Sequence, residues 1–260
     1  RTTCQQNMSA DITTSAVALR KEGRLGGHKD RVFDVSFAPG RASSLASVGQ
    51  TGGCVWSIGD DGTEANEPPV ALKGVELMRV CWHSDGAHVL TGCAEGKICI
   101  FDAADGAVTA TLVAPKEDEV YGLEMLTGDD NLLAAGAGNT VQQWGLTRGA
   151  CTLRAEVARD DHGVIFGGEH RNPEGKAFVF SLASRGRALC AALSDGTVRL
   201  LDSQTLQTVG LLTEHAKRGA PVFGVALSPR SPLLASSDAE GAVLLWDLRQ
   251  TGRGPLAETC

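Results

Sequence analysis

One thirteen-residue pattern returns five times along the chain. It reads LASVGQTGGCVWS from Leu45, LTGCAEGKICIFD from Leu90, LAAGAGNTVQQWG from Leu133, CAALSDGTVRLLD from Cys190 and ASSDAEGAVLLWD from Ala235. The twelfth position is Trp56, Phe101, Trp144, Leu201 and Trp246, so successive copies lie 45, 43, 57 and 45 residues apart. A period of about 40–45 residues marks an array of small sheets rather than one continuous core. Within a copy, a small β-prone run leads to a tight turn and then to an alternating run such as Thr197-Val198-Arg199-Leu200-Leu201. Asp195-Gly196 is the strongest of these turns, because Gly accepts positive φ cheaply and Asp caps its own turn. Glu95-Gly96 and Glu240-Gly241 fill the same place. A further alternating strand precedes each copy, at Val32, Met78, Val120, Ala177 and Val222. Period-2 strands with short turns, five times over, predict an all-β chain.

With Gly27-His28 and Glu214-His215 upstream and a complete Trp246-Asp247 ending, the chain resembles the WD-repeat β-propeller family. The resemblance covers roughly residues 15–259, and it implies five recognisable four-stranded blades over residues 26–260. Individual copies are degenerate, since Phe101-Asp102 and Leu201-Asp202 lack Trp while Trp56-Ser57 and Trp144-Gly145 lack Asp. Residues 1–25 are expected to carry one outer strand, at Val17–Arg20, of a preceding or shared blade. The family most often has seven blades, so the chain reads as a fragment of a longer propeller. The rival is a five-bladed ring whose last blade the N-terminal strand completes.

The family also implies a buried chain of His, Ser or Thr, turn acid and Trp within a blade. Carried over residue by residue, the last blade supplies His215, Ser236, Glu240 and Trp246. His28 and Trp56 form a version without the acid, and Asp195 has neither His nor Trp. These residues are assigned to structure, not to catalysis.

Charge and cysteines narrow the function. There are 24 basic and 31 acidic residues, a net charge of −7, and no basic stripe with interleaved aromatics. Direct nucleic-acid binding, which depends on Lys and Arg replacing condensed counterions, is not expected. The eight cysteines show no Cys-x-x-Cys spacing, and Cys81, Cys93, Cys99 and Cys190 fall inside predicted strands. No metal, cofactor or disulfide framework is expected, and the chain reads as a reduced intracellular protein of cytoplasm or nucleus. No apolar run approaches the roughly 20 residues that span a bilayer. The P-loop, the dinucleotide fingerprint, the Gly-x-Ser-x-Gly elbow and His-Glu-x-x-His are all absent. The reading is therefore a non-catalytic scaffold for protein partners, with a propeller hydrolase as the most distant alternative.

Two surfaces are candidates for contact. Connections entering the innermost strands place Lys29, Arg31, Met78, Arg79, Glu119, Tyr121, Lys217 and Arg218 toward the narrow end of the ring, and Tyr, Met and Arg favour interface cores. The longest step between repeats contains a polar, Gly-rich insertion around Arg159–Gly175. The ending Trp246-Asp247-x-Arg249 also resembles the box by which propeller receptors of cullin–RING ubiquitin ligases meet an adaptor. That resemblance implies docking by Asp247 and Arg249, with Trp246 packed inside.

Overall fold

The computed structural model describes residues 25–59, 69–74, 76–113, 118–156 and 177–259. Val17–Arg20 and the Arg159–Gly175 insertion lie outside the described residues. Twenty strands form five antiparallel sheets of four. Blade 1 comprises β1 (Val32–Ala38), β2 (Arg41–Gly49), β3 (Gly52–Ser57) and β4 (Val70–Leu72). Blade 2 comprises β5 (Leu77–Trp82), β6 (His88–Cys93), β7 (Lys97–Asp102) and β8 (Val108–Val113). Blade 3 comprises β9 (Val120–Met125), β10 (Leu132–Ala137), β11 (Thr140–Gly145) and β12 (Ala150–Glu156). Blade 4 comprises β13 (Val179–Arg185), β14 (Ala188–Leu193), β15 (Val198–Asp202) and β16 (Thr208–Leu212). A single helical turn, α1 (Glu214–Lys217), leads to blade 5, with β17 (Val222–Leu227), β18 (Leu233–Asp238), β19 (Val243–Asp247) and β20 (Ala257–Thr259). The chain is a five-bladed β-propeller. β20 occupies the outer edge of blade 5, where the five-bladed rival placed the N-terminal strand.

The core lies between blades. Ala46, Val48 and Val55 of blade 1 pack on Val80 and Trp82 of blade 2. Leu90 and Ile98 meet Leu123, Leu133 and Trp144, and Ala134 and Val141 meet Leu182, Leu189 and Leu201. Cys190, Ala192 and Val198 meet Leu234, Leu244 and Trp246. At each seam one sheet offers small or branched residues and the next offers larger ones, so two twisted faces can interdigitate. Glycine serves the turns between β-strands. Gly196 sits at φ +81°, and a Cβ there would lie 2.7 Å from the Cα of Ala216 in α1.

Inside blade 5 a buried polar chain ties the sheet to its incoming connection. Trp246 Nε1–H donates to Ser236 Oγ (2.8 Å), Ser236 Oγ lies 2.7 Å from His215 Nε2, and His215 Nδ1 lies 2.7 Å from Asp238 Oδ2. The acid is Asp238, not Glu240. Glu240 is exposed at the turn, and its amide donates to Asp238 Oδ1 (3.0 Å). Asp238 ends β18, so its shorter side chain already points at the imidazole. Burial acts to raise the pKa of Asp238, but hydrogen bonds from His215 and from the Ala242 and Glu240 amides outweigh it and hold the carboxyl below its ordinary value.

The other blades use substitutes. In blade 1, Ser47 Oγ accepts from Trp56 Nε1 (2.7 Å) and lies 2.6 Å from His28 Nε2. In blade 3, Trp144 donates to Gln142 Oε1 (3.0 Å) and Gln142 Nε2 donates to Thr140 Oγ1 (3.1 Å), a replacement the repeat pattern did not reveal. Asp195 instead accepts from the amide and hydroxyl of Thr197 (2.9 and 2.7 Å), closing its own turn.

Ser236→Ala leaves a buried indole N–H and a buried imidazole nitrogen without their partner, so it is expected to cost about 2–4 kcal/mol. Glu240→Ala at the exposed turn is expected to stay within about 0.5 kcal/mol. Urea unfolding of the two variants side by side separates these expectations.

Candidate interaction surface at the channel mouth

The innermost strands β1, β5, β9, β13 and β17 pack in succession around the channel. Near its start each skips one residue in pairing with its neighbour. The skipped residues are Phe33, Met78, Tyr121, Phe180 and Phe223. A bulge leaves one residue out of the ladder and re-aims its side chain. The fold therefore sets one large apolar or aromatic residue per blade at the same level. Tyr121 meets Phe180 edge-on with ring centroids 5.8 Å apart, and Phe180 meets Phe223 at 5.2 Å. Phe178 stacks on Phe180 at 6.5 Å. Phe33 and Phe223 are exposed. The Tyr121 hydroxyl donates to Glu119, and burial followed by that contact raises its pKa.

Sequence reading named Met78 and Tyr121 of this column and missed Phe33, Phe180 and Phe223. The signal was present in the aligned strand starts, Val-Phe-Asp-Val, Leu-Met-Arg-Val, Val-Tyr-Gly-Leu, Val-Phe-Ser-Leu and Val-Phe-Gly-Val. A plain period-2 reading assigns those second positions to a sheet face, and only the bulge brings them together.

Three other expected residues fall elsewhere. Arg79 is not a free rim residue but reaches across the channel. It donates through Nε to the Tyr121 carbonyl (2.6 Å) and through Nη2 to the Phe180 carbonyl (2.8 Å), and its Nη1 lies 3.4 Å from Asp34 Oδ1. Asp34 also accepts from the Val80 amide (3.0 Å). Arg79 thus ties the innermost strands of four blades. Lys217 pairs with Glu214 (2.6 Å) within α1, and Arg218 pairs with Glu258 on β20 (Nη2 to Oε2, 2.6 Å). Arg218 thus reaches the outer strand of blade 5, while Lys217 is held within the helical turn that precedes β17. Lys29 and Arg31 are exposed on the connection into β1.

Beneath the mouth, Glu124 Oε1 accepts from the Ser184 amide (3.1 Å), joining β9 to β13. Burial raises the Glu124 pKa, against the opposing pull of Ser184 and Arg79. At the rim of blade 5, Arg249 Nη2 and Nε contact Asp247 Oδ2 at 2.6 and 3.2 Å. This pairing with Arg249 holds the Asp247 carboxyl at about 2. Trp246 is buried, as its role inside the blade requires.

Two constellations carry the residue types of catalysis or metal binding. Ser236, His215 and Asp238 have the order of a hydrolytic triad, but all three are buried and the serine oxygen accepts the Trp246 indole, leaving no approach for a substrate. His83, Asp85 and His88 converge at the β5–β6 turn. There His83 Nδ1 accepts from the Asp85 amide (3.2 Å) and Asp85 Oδ1 accepts from the Ala87 and His88 amides (2.7 and 3.1 Å). These bonds cap a turn and engage His83 Nδ1 and Asp85 Oδ1 within the chain. Among the described residues, no helix is long and apolar enough to cross a membrane.

The family model "WD domain, G-beta repeat" matches residues 73–102 and 206–247, within blade 2 and across blades 4 and 5. Five four-stranded blades together with these matches support a WD-repeat family for the chain. It is 31% identical over 94 residues to the cytoplasmic dynein 1 intermediate chain of Drosophila melanogaster, covering 35% of this chain and 13% of that protein. It is 24% identical over 212 residues to periodic tryptophan protein 2 of Arabidopsis thaliana, covering 69% of this chain and 23% of that protein. The chain thus spans under a quarter of either relative.

Arg79→Met strands two carbonyls and Asp34 in the channel and is expected to lower stability by about 2–4 kcal/mol in chemical unfolding. Glu124 gives a pH signature. Its folded pKa lies above the unfolded value of about 4.3, so the folded form binds more protons there and stability falls as pH rises through that interval. Glu124→Gln keeps the acceptor and should remove this fall; unfolding curves from pH 4 to 8 test it, and an unchanged slope would count against the assignment.

Proposed function

We propose that this chain is a non-catalytic scaffold that presents the channel mouth to protein partners in a multiprotein complex. WD-repeat propellers typically serve protein interaction, and the column Phe33, Met78, Tyr121, Phe180 and Phe223 is the observation that carries the reading here. Aromatic residues and Met supply large contact area with little side-chain entropy to lose, and they concentrate at interface cores. Lys29, Arg31 and Glu119 give that apolar centre a charged border. A peptide or loop carrying apolar anchors between charged residues of both signs matches it. The relatives include a cytoplasmic dynein 1 intermediate chain, and a cytoplasmic location accords with it and with the described cysteines, none of which is in a disulfide.

The second reading is a substrate receptor of a cullin–RING ligase, favoured by the exposed Arg249 guanidinium beside Asp247. The mutual pairing of these two groups leaves less charge for an adaptor, so this reading ranks below the first.

Phe33→Asp with Phe223→Asp alters exposed residues, so the fold should survive. Partners captured by the wild-type chain in affinity purification are expected to lose at least about tenfold in affinity, since each interface anchor contributes about 2 kcal/mol or more. Arg249→Ala should leave those partners bound. The reverse pattern, with a cullin adaptor lost on Arg249→Ala, would transfer the assignment to the receptor reading.

A further inference from the structure

Two thiols meet in blade 2, on the face that packs toward blade 1. Cys93 ends β6, Cys99 lies near the start of β7, and their sulfur atoms are 3.8 Å apart. The turn between the strands sets Thr91 opposite Cys99 and Gly92 opposite Ile98. Strand alternation therefore puts Thr91, Cys93, Lys97 and Cys99 on one face of the sheet. That face continues to Thr111 of β8, the ladder partner of Cys99. Cys93 is buried, whereas Cys99 is only half-buried. A cavity of about 340 Å³ opens there, and Lys73, Lys97 and Thr111 line it together with the two cysteines.

The neighbours make the two thiols unequal. The hydrogen bond from Cys93, aided by Thr111 and Lys97, draws the Cys99 thiol below its ordinary value despite burial. The same contact with Cys99, then burial, pushes the Cys93 thiol up. Cys151 is also half-buried, but burial raises it. A thiol that ionises easily, is reachable from solvent and lies beside a second thiol is the arrangement that redox-sensing cysteines use. A metal is a poorer occupant, because among the described residues no third His, Cys, Asp or Glu joins the two sulfurs closely enough to share one.

We infer that Cys93 and Cys99 form a peroxide-modification site, in which Cys99 is oxidised first and Cys93 then closes an intrachain disulfide. In the first step the Cys99 thiolate attacks one oxygen of a hydroperoxide. The S–O bond forms as the O–O bond breaks, and the departing oxyanion takes a proton from solvent to leave as water or an alcohol. In the second step the Cys93 sulfur attacks the sulfur of the Cys99 sulfenic acid. The S–O bond breaks, and the released hydroxide takes the Cys93 proton to leave as water. The two sulfurs together lose two electrons, which the peroxide gains. Once Cys99 is a neutral sulfenic acid, no thiolate opposes ionisation of Cys93, so the thiol that resisted the first step serves the second. The sulfurs must close by roughly 1.8 Å to reach a bond of about 2.05 Å. Cys93 is the last residue of its strand, beside the turn, where the ladder constrains it least.

The test treats the reduced full chain with hydrogen peroxide at pH 7, alkylates the remaining thiols and maps the peptides by mass spectrometry. A Cys93–Cys99 bridge should form at least about tenfold faster than Cys151 is oxidised, because the thiolate is the reacting form. Dithiothreitol should reverse it. In Cys93→Ser no resolving thiol remains, so dimedone should trap the sulfenic acid at Cys99. In Cys99→Ser, Cys93 should stay reduced under the same conditions. The wild-type reaction decides alone if either variant folds poorly. Oxidation of Cys99 no faster than that of Cys151 overturns the inference, as does a wild-type chain that carries dimedone at Cys99 and forms no bridge. Dimedone on Cys93 in Cys99→Ser also overturns it, because Cys93 would then be oxidised without Cys99.

Discussion

Face-to-face packing of successive sheets is the constraint on which the rest of the molecule depends. A four-stranded blade is apolar on both faces, so it cannot stand alone and is stabilised by packing against a neighbour. The seams are built from alternating sizes, with Ala46, Ala134 and Cys190 admitting Trp82, Leu182 and Trp246 on the next blades. That arrangement explains why residues such as Leu189 and Leu234 are wholly buried although, among the described residues, no sheet has more than four strands. It also explains the polar ties. Trp82 donates to the Ser36 carbonyl across one seam, Arg79 spans the channel, and Glu124 joins β9 to β13, each fixing the rotation of one sheet against another.

The same packing converts a local irregularity into a surface. One bulge in one strand would turn one side chain aside. Five bulges at equivalent points, held in register by the seams, bring Phe33, Met78, Tyr121, Phe180 and Phe223 to a common level around the mouth. The buried Ser236–His215–Asp238 chain illustrates the converse. Its residue types suit hydrolysis, but its burial between sheet and connection, with the indole on the serine oxygen, makes it a clamp.

Much of the fold was legible in the chain. The recurrence of small run, turn and large apolar residue marked five blades, because each feature answers a local demand: positive φ at the turn, alternation in the strand, and a large apolar residue toward the seam. The site was legible only in part. Met78, Tyr121 and Glu119 could be placed near the mouth from their position ahead of or within the innermost strands. Arg79 could not be told from them, since its partners are carbonyls of β9 and β13, at Tyr121 and Phe180, distant in sequence. Asp238 was overlooked for Glu240 because a turn acid and a strand-end acid are two residues apart, and only side-chain reach decides between them.

By itself, then, the sequence determined what local physics governs: all-β structure, five repeats, their turns, and the Trp and His that anchor blades 1 and 5. Tertiary structure decided which side chains meet across blades: the ring of bulge residues, the Arg79 tie and the Asp238 clamp. These arise where segments far apart in the chain are brought side by side, and no short-range pattern encodes such contacts.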